Sequence, residues 1–453
     1  MSTSRRDFLR NSLFTTAGLF AAKRVLAQND KAEPQEMPSA ANGFVPVDTP
    51  DVPKLPWRKD GATKVFYLVA EVIEREFLPG KKVFCWGFSG SVPGPTIEVF
   101  EGDRVRIIVE NRLPEATSMH WHGLEVPLNM DGVPGISQPL IQPGERYVYE
   151  FTLHQNGTFF YHSHMPMQEM MGMIGFFVIH PRKAYEPRVD KDFGLILQEW
   201  AILPNNPIPN TLSMEFNWLT LNGKAGPATT PLIVKLGERV RIRFVNLGMD
   251  HHPMHLHGNT FYVTGTEAGR VPQAIWRPEN TVLVGVAQAR DVEFEAKYSG
   301  EWMLHCHLPH HMMNQMVSMV GPLPHLGHGM HAGMGMEEGM GMIREGPASA
   351  EENGPSLGRA LGVGSTYEER VSHAVGHAAN EEPKKVPGYP QDHWMTMDRE
   401  VEKPETHGLP QGWTGAMMGM MTLVRVLPHD LYYEVKRLQA QKPKEPAEVH
   451  HHG

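Results

Sequence analysis

The chain has 453 residues, of which 41% are hydrophobic and 21% charged, a balance typical of a globular protein long enough for two or three domains. The formal net charge of −9 argues against a nucleic-acid partner, and two cysteines are too few for a disulfide framework. The unusual counts are 25 histidines and 28 methionines, whose side chains together favour copper over zinc or magnesium.

The first 28 residues are predicted to be an export signal. A twin arginine, Arg5 and Arg6, precedes a short apolar run from Leu13 to Ala22, and a small-residue cleavage site follows at Ala27. The run is short for a membrane span, so we expect a periplasmic or secreted protein exported by the twin-arginine route, with an uncleaved membrane tether as the alternative. Residues 29–59 are rich in Pro, Asp, Glu and Ala and are predicted to be a linker.

The rest of the chain contains a repeat. From residue 60 onward, short apolar segments are separated by Gly, Pro and Asn, which predicts an all-β sandwich or barrel. PTIEVFEGDRVRIIVEN (95–111) resembles PLIVKLGERVRIRFVN (231–246), and their alternating stretches suit strands with one buried face. We therefore predict two homologous β domains, residues 60–183 and 188–320.

Four pairs of histidines occupy matched places in the two repeats. MHWHG (119–123) corresponds to MHLHG (254–258), and NGTFFYHSH (156–164) corresponds to SGEWMLHCH (299–307). The histidines of each pair are two residues apart, and residues i and i+2 of a strand point to the same side. The eight predicted metal ligands are His120, His122, His162, His164, His255, His257, His305 and His307.

A different kind of metal site is indicated by Cys306, which lies between two of these histidines. A thiolate, two imidazoles and a weak axial thioether form a blue-copper electron-transfer site. His311 follows five residues after the cysteine, and His252 begins the segment HPMHLHG, so these two are the candidate imidazoles.

The first repeat lacks three of these ligands. Its residues at the corresponding positions are Thr117, Ser163 and Gln168, so we expect a blue copper only in the second domain. The other cysteine, Cys85, has no ligand partners nearby in the sequence and is predicted to be a core thiol.

The segments HWHG, HSH, HPMHLHG and HCHLPHH resemble the four copper-binding motifs of the multicopper oxidases, the family of laccases and cuprous oxidases. The resemblance covers about residues 60–320 and implies two cupredoxin-like Greek-key β-barrel domains. It also implies an enzyme that oxidises a phenol or Cu(I) at a type 1 copper and reduces O2 to water at a trinuclear cluster, with a role in copper tolerance. The implied cofactors are about four copper ions per chain, one of type 1, one of type 2 and two of type 3.

The resemblance also assigns the ligands by motif position. His120 and His255 would hold the type 2 copper. One type 3 copper would have the ligands His122, His162 and His307, and the other would have His164, His257 and His305. Cys306 would then connect the type 1 copper to the cluster, because both of its neighbours bind the type 3 pair.

The spacing of the motifs resembles that of the two-domain small laccases, since only one domain's worth of strands separates HSH from HPMHLHG. In that group the first domain of one subunit meets the second domain of its neighbour, which implies a homotrimer with a cluster at each interface. The alternatives are a copper nitrite reductase-like enzyme and a copper-sequestering protein without turnover. Ser163 argues against the first alternative, and the His-Cys-His sequence argues against the second.

Two residues are candidates for supplying protons to oxygen reduction. In the family an acid at the place of Asp131 lies near the type 2 copper, although Asp131 could simply be a turn residue before Gly132. A second relay acid of related cuprous oxidases would fall at His310, where histidine could also carry protons near neutral pH.

The last strand of the second domain is missing from its usual place. Soon after Met316 the sequence breaks into Pro and Gly, followed by a His/Met-rich stretch at 325–342. Thioethers favour Cu(I), so this stretch is expected either to collect cuprous ions near the electron entry site or to be only a linker.

The strand reappears about a hundred residues later. AMMGMMTLVRVLP (416–428) resembles EMMGMIGFFVIHP (169–181), the end of the first domain. We therefore predict a flexible, His/Met-rich insertion, a closing strand and helix, and a tail, which span residues 321–412, 413–435 and 436–453 respectively. Met420 is the preferred axial ligand of the blue copper because a strand fixes its position, and Met316 is the alternative.

Overall fold

The structure is a computed structural model that describes residues 44–203, 206–312 and 397–441. The strands of its first domain are β1 Trp57–Asp60, β2 Thr63–Leu78, β3 Lys81–Phe88, β4 Gly94–Phe100, β5 Arg104–Asn111, β6 Met119–His122, β7 Arg146–Thr152, β8 Gly157–Ser163 and β9 Ile174–His180. The strands of its second domain are β10 Lys191–Trp200, β11 Trp218–Leu221, β12 Leu232–Lys235, β13 Arg239–Asn246, β14 His252–Leu256, β15 Phe261–Thr266, β16 Gly269–Arg270, β17 Arg277–Glu279, β18 Thr281–Val284, β19 Gln288–Glu295, β20 Gly300–Cys306 and β21 Met421–Leu427. The α-helices are α1 Pro166–Met170 and α2 His429–Gln441, and 3-10 turns span Leu128–Met130, Gln273–Ile275, Pro309–Met312, Pro404–Thr406 and Trp413–Ala416.

Each domain consists of two sheets, so the predicted all-β fold is confirmed. In the first domain one sheet has the order β1-β2-β5-β7, with β3 beside β2, and the other has the order β4-β9-β8-β6. In the second domain the orders are β11-β10-β13-β19-β15-β16, with β17 beside β15, and β12-β21-β20-β14-β18. Alternation within the strands builds the cores: Val105, Ile107 and Val109 of β5 are fully buried between the sheets of the first domain.

The strand β21 has the same neighbours in the second domain as β9 has in the first. It pairs antiparallel with β20 and parallel with β12, whereas β9 pairs antiparallel with β8 and parallel with β4. The chain thus returns to this sheet after residues 313–396, which are outside the described residues.

Two predicted boundaries differ from the structure at the ends of the described chain. Residues 44–56 fall in the expected linker, but they pack on the barrels because Val47 and Leu55 are buried and form part of the core clusters. The helix α2 continues to Gln441 instead of ending at 435, since Tyr432 and Val435 of this helix are buried against β12 and β21.

A third difference concerns the last part of the predicted insertion. Residues 397–412 are not a free segment: Val401 is buried in the cluster between the domains. The guanidinium of Arg425, which is fully buried, donates a hydrogen bond of 2.9 Å to the carbonyl of His407. A buried cation needs such partners, and this pairing anchors the segment to the closing strand.

The two domains are joined by buried apolar and charged contacts. One core cluster combines Phe77 of β2 with Trp200 and Trp218 of the second domain. Arg243 is 2% exposed in its side chain and forms ion pairs with Asp192 and Asp291 of its own domain. It also donates a hydrogen bond of 2.6 Å to Thr158 Oγ1 of the first domain, so the charged network crosses the interface.

No helix among the described residues is long and apolar enough to cross a membrane. The predicted export signal, residues 1–28, lies outside the described residues.

Candidate metal centres

Three buried side chains of the second domain converge on one point. The Nδ1 atoms of His252 and His311 are 3.1 Å apart, and Cys306 Sγ lies 3.7 Å from the first and 3.4 Å from the second. All three residues are buried, so donors at these distances could bind one small cation away from water. We call His252, Cys306 and His311 the thiol triad.

The triad is assembled by strand pairing and a tight turn. His252 begins β14 and Cys306 ends β20, and these strands are paired so that Met254 is opposite Cys306. His311 lies in the 3-10 turn Pro309–Met312, which follows β20 directly.

Met420 is tied to the triad through its backbone. Its carbonyl accepts a hydrogen bond of 3.0 Å from the N–H of Cys306, and its own N–H donates one of 2.9 Å to the carbonyl of His311. Met420 is fully buried, in the same core cluster as Cys306. The alternative axial residue, Met316, lies outside the described residues.

The protonation of the triad suits a soft, thiophilic cation. Burial lowers the pKa of His311 to about 3, so its imidazole is neutral and has a free lone pair at neutral pH. Burial raises the pKa of the Cys306 thiol to about 12, so the thiolate needs a bound cation to form. Two imidazoles and a thiolate beside a buried methionine are a donor set that fits copper.

The eight paired histidines form two further clusters, one in each domain. In the first domain, the quartet consists of His120, His122, His162 and His164, and in the second domain it consists of His255, His257, His305 and His307. Ring centroids of neighbouring members are 5.3–6.3 Å apart in the first quartet and 4.8–5.6 Å apart in the second.

The closest nitrogen pairs in the quartets have matching positions. His122 Nδ1 lies 3.3 Å from His162 Nε2, and His257 Nε2 lies 3.0 Å from His305 Nε2. Burial and neighbouring imidazoles lower the pKa of His122 to about 4, so this ring is neutral. Each pair is at hydrogen-bonding distance, so in the metal-free protein one nitrogen can donate its proton to the other, and a bound cation could take the place of that proton.

Hydrogen bonds fix the orientation of four of these rings. In each case Nδ1 donates to a backbone carbonyl oxygen. The distances are 2.7 Å from His120 to Asp131, 2.7 Å from His162 to Ser163, 2.8 Å from His255 to Asn280 and 2.8 Å from His305 to Cys306. The proton is thereby held on Nδ1, and Nε2 is left with the lone pair that a metal needs.

The two quartets do not meet within one chain. Within the described ranges, every contact between the rings of two of these histidines joins members of the same quartet, and the one group of them close enough to hold an ion is His120, His122 and His162. His257 and His307 of the second quartet are exposed.

The two expected proton carriers lie at different centres. Asp131 is at the first quartet, with Oδ1 3.5 Å from His120 Nδ1 and its side chain 31% exposed. His310 is exposed and stacks edge-on against His311, with ring centroids 4.3 Å apart, so it lies beside the thiol triad and at neither quartet. This placement gives no support to the proton relay that was expected of His310.

The position in the first domain that corresponds to the thiol triad is filled by hydrogen bonds. Gln168 Oε1 accepts from the hydroxyls of Thr117 and Ser163, at 2.7 Å in both cases. Gln168 Nε2 donates to Glu115 Oε1 at 2.8 Å and to the carbonyl of Ala116 at 2.9 Å. We call Thr117, Ser163 and Gln168 the polar plug; all three are buried.

Two carboxylates at the histidines were missed by the sequence analysis. Glu199 Oε2 lies 3.1 Å from His252 Nε2, and Glu169 Oε1 lies 3.2 Å from His162 Nδ1. The first has a sequence signal: KDFGLILQEW is an apolar strand, and a glutamate inside such a strand is buried only with partners. The second has none, since Glu169 lies in the short helix α1, where a glutamate needs no buried partner.

Comparisons with known proteins agree with the two repeats. Models of a family described as multicopper oxidase match residues 70–184 and 202–322. Copper resistance protein A of Pseudomonas syringae pv. tomato is 43% identical over 124 residues, which are 27% of this chain and 20% of that protein. Laccase-2 of Botryotinia fuckeliana is 32% identical over 237 residues, 47% of this chain and 40% of that one. The chain thus spans about a fifth of the copper resistance proteins that it matches.

Solved structures are similar over both domains. The blue copper oxidase from Nitrosomonas europaea has a TM-score of 0.51 at 29% identity, covering 56% of this chain and 81% of that one. The multicopper oxidase mgLAC has a TM-score of 0.51 at 31% identity, covering 56% and 82%. These neighbours confirm the predicted pair of cupredoxin-like domains.

Proposed function

This chain belongs to the multicopper oxidase family, and we propose that it oxidises a phenol or Cu(I) one electron at a time and delivers four electrons to O2. Copper ions held by the triad and the quartets would supply the single-electron acceptance and the reduction of O2 to water. The observation that carries the proposal is the buried thiol triad whose cysteine lies, in sequence, between two members of a histidine quartet.

We assign the ligands of the type 1 copper to His252, Cys306, His311 and Met420. The assignment of Met420 is supported by its two backbone hydrogen bonds, which hold it between the strand of Cys306 and the turn of His311. A weak axial contact depends on a position fixed by surrounding structure, and β21 begins at the next residue.

The trinuclear ligands are proposed to come from the quartets. His120 and His255 are assigned to the type 2 copper, His122, His162 and His307 to one type 3 copper, and His164, His257 and His305 to the other. The route for electrons is the backbone of His305, Cys306 and His307, since these consecutive residues connect the thiol triad to the second quartet through a few covalent bonds.

Because each quartet supplies ligands to the same coppers, the cluster must form between chains, and we propose a homotrimer. The separation of the quartets within one chain supports this assembly, as do the exposed rings of His257 and His307. Large apolar side chains near the quartets are also exposed: Leu128 and Ile136, in the loop around Asp131, are 70% and 77% exposed, and Leu283 of β18 is 57% exposed. A partner domain would cover them.

Complementation between inactive chains tests the shared cluster. His120→Ala removes a ligand of the first quartet and His255→Ala one of the second, so each variant alone should be inactive. Co-expressed in equal amounts, they should recover about a quarter of the wild-type activity, because each interface draws its two halves at random. Both should keep the blue absorption of the thiol triad, and a mixture with no recovered activity would contradict a cluster between chains.

Asp131 is the proposed proton carrier of the cluster. Its carboxyl lies between solvent and His120, as a group that takes protons from water and passes them inward must. Asp131→Asn should slow steady-state O2 uptake while the blue colour still bleaches at the wild-type rate when substrate is added without O2. Loss of bleaching as well would indicate a disturbed fold.

The substrate and cellular role are proposed from the sequence. The His/Met-rich stretch at 325–342, outside the described residues, is proposed to collect Cu(I), which agrees with a role in copper tolerance. Deleting it should lower cuprous oxidation far more than phenol oxidation, and equal losses would refute that role. Twin-arginine export is proposed for residues 1–28; replacing Arg5 and Arg6 together by Lys should leave the protein in the cytoplasm.

Oxygen uptake distinguishes the proposed oxidase from the other copper proteins considered. The copper-loaded protein should consume about one O2 for every four electrons taken from a phenolic dye or from Cu(I). Nitrite reduction without O2 uptake would indicate a nitrite reductase-like enzyme, and copper binding without either reaction would indicate sequestration.

A further inference from the structure

A buried carboxylate lies behind the thiol triad, on the side away from Cys306. Glu199, near the end of β10, is fully buried in its side chain, as is His252. Its Oε2 lies 3.1 Å from His252 Nε2. Its Oε1 accepts a hydrogen bond of 2.9 Å from the N–H of Asp250 and another from the N–H of Met249.

The chain makes room for this carboxylate at Gly248. A Cβ atom at that position would collide with both oxygens of Glu199. Gly248 lies in the loop of residues 247–251, which leads into His252. The loop therefore provides space, two backbone donors and the histidine, which together make a built site for one carboxylate.

The partners of Glu199 determine the protonation of His252. A carboxylate is only an acceptor, so the proton of His252 must be on Nε2, which faces it. The Nδ1 lone pair is then directed at Cys306 Sγ, 3.7 Å away, and His311 Nδ1, 3.1 Å away. Glu199 is thereby held as the acceptor of two backbone N–H groups and of His252, in a fully buried position next to the triad.

We propose that Glu199 is a positioning residue that fixes the copper-binding tautomer of His252 and lowers the reduction potential of the type 1 copper. This inference rests on the proposed function. A negative charge that is not screened by solvent stabilises the doubly charged cupric ion more than the singly charged cuprous ion. The enzyme would then be selective for substrates that give up electrons easily.

Glu199 differs in this respect from the acid on the other side of the triad. Asp250 Oδ2 lies 3.4 Å from His311 Nε2, but the Asp250 side chain is 37% exposed. Solvent screens an exposed charge, so Asp250 should affect the potential much less. A substrate in solution cannot contact the fully buried Glu199, so its proposed role is to tune the reduction potential and not to accept electrons from the substrate.

Glu199→Gln tests the proposal, with Asp250→Asn as the matched control. The glutamine amide has one acceptor and one donor group, so it cannot accept from both the backbone N–H groups and His252. We expect a higher type 1 reduction potential in a redox titration and faster loss of blue absorbance to a copper chelator. Asp250→Asn should shift both readouts less. Gly248→Ala, which pushes the carboxylate away by steric collision, should shift the potential in the same direction and serves as a second variant.

The results separate this inference from the function on which it rests. A wild-type protein without a blue copper would overturn the proposed function itself. A blue wild-type protein whose potential is unchanged in both Glu199→Gln and Gly248→Ala would overturn only the role of Glu199. A shift in Asp250→Asn equal to that in Glu199→Gln would overturn the distinction between buried and exposed charge.

Discussion

The two domains share the arrangement of the strands that carry their sites, but they differ at the place where the thiol triad lies in the second. There the first domain has the polar plug, in which one glutamine accepts from two hydroxyls and donates to Glu115 and Ala116. The second domain has two imidazoles and a thiol whose ligand atoms face one another at 3.1–3.7 Å, without a side chain such as Gln168 between them. The same fold can therefore either pair its buried polar groups with one another by hydrogen bonds or keep them available to bind a metal.

The histidine quartets, in contrast, are present in both domains. Each has its closest nitrogen pair on or directly after two neighbouring strands of one sheet, β6 and β8 in the first domain and β14 and β20 in the second. In each quartet backbone carbonyl oxygens orient two of the rings. We infer that the quartets depend on each other across chains, whereas the triad serves its own domain alone.

The largest expected effect comes from Cys306→Ser, which removes the thiolate. The variant should lose the blue colour and all turnover, since no other soft anionic ligand lies in the triad. Copper bound by the quartets should remain, which metal analysis and electron paramagnetic resonance can measure. The matched control is Cys85→Ala in the core between the domains, which should keep colour and turnover; a colourless control would break the comparison.

Equivalent substitutions in plug and triad should have opposite consequences. Gln168→Ala leaves two buried hydroxyls and the Ala116 carbonyl without their partner, so the free energy of unfolding should fall by about 1–3 kcal/mol. The blue absorption should stay unchanged. His311→Ala at the corresponding position should remove the blue absorption and lower stability less in the metal-free protein. Denaturant unfolding and absorption spectra of both variants would show whether the roles are reversed.

A smaller effect is expected when the methionine at corresponding positions of the two domains, Met420 and Met173, is replaced by leucine. Met420→Leu should raise the type 1 reduction potential and alter the blue absorption, because the thioether is lost and the volume is nearly conserved. Met173→Leu replaces its counterpart in the first domain, also fully buried, and should change neither. If Met420→Leu has no effect while Met316→Leu does, the axial ligand comes from outside the described residues.

The last comparison concerns the pH dependence of the metal-free protein, in which each domain has one histidine with a strongly lowered pKa. His311 and His122 have folded-state pKa values of about 3 and about 4, below the usual 6.5. Below about pH 6.5 the unfolded chain binds a proton at each of these histidines and the folded chain does not. The free energy of unfolding should therefore decrease as the pH is lowered, by about 1.4 kcal/mol per pH unit for each such histidine, until the folded pKa is reached. Unfolding at several pH values checks this; His311→Gln should weaken the dependence, and an unchanged slope would contradict the burial argument.

Much of the site was predictable because its ligands follow local rules. Histidines two apart on a strand face one side, and the repeat identified Thr117, Ser163 and Gln168 as residues that replace ligands. The same comparison pointed to the segment around Met420, which the structure describes beside Cys306 and His311. Periodicity and repeats are encoded in neighbouring residues, so they can be read without knowledge of the fold.

Contacts between distant segments were not predictable in this way. Glu199 meets His252 only after β10 and β14 are placed in different sheets of one domain, and no spacing in the sequence relates them. The packing of residues 44–56 and 397–412 also depends on which barrel surface is free, so their polar composition suggested linkers. His310 was expected to carry protons for oxygen reduction, but the 3-10 turn Pro309–Met312 places it beside His311 of the triad.

Copper counting tests the central claim most directly. After copper loading and removal of excess metal, wild-type protein should contain about four copper ions per chain, and Cys306→Ser should contain about three. The matched first-domain variant Ser163→Ala should keep all of them, because the plug binds none. A wild-type content of about two, or a content that Cys306→Ser leaves unchanged, would contradict a single type 1 site in the second domain joined to clusters shared between chains.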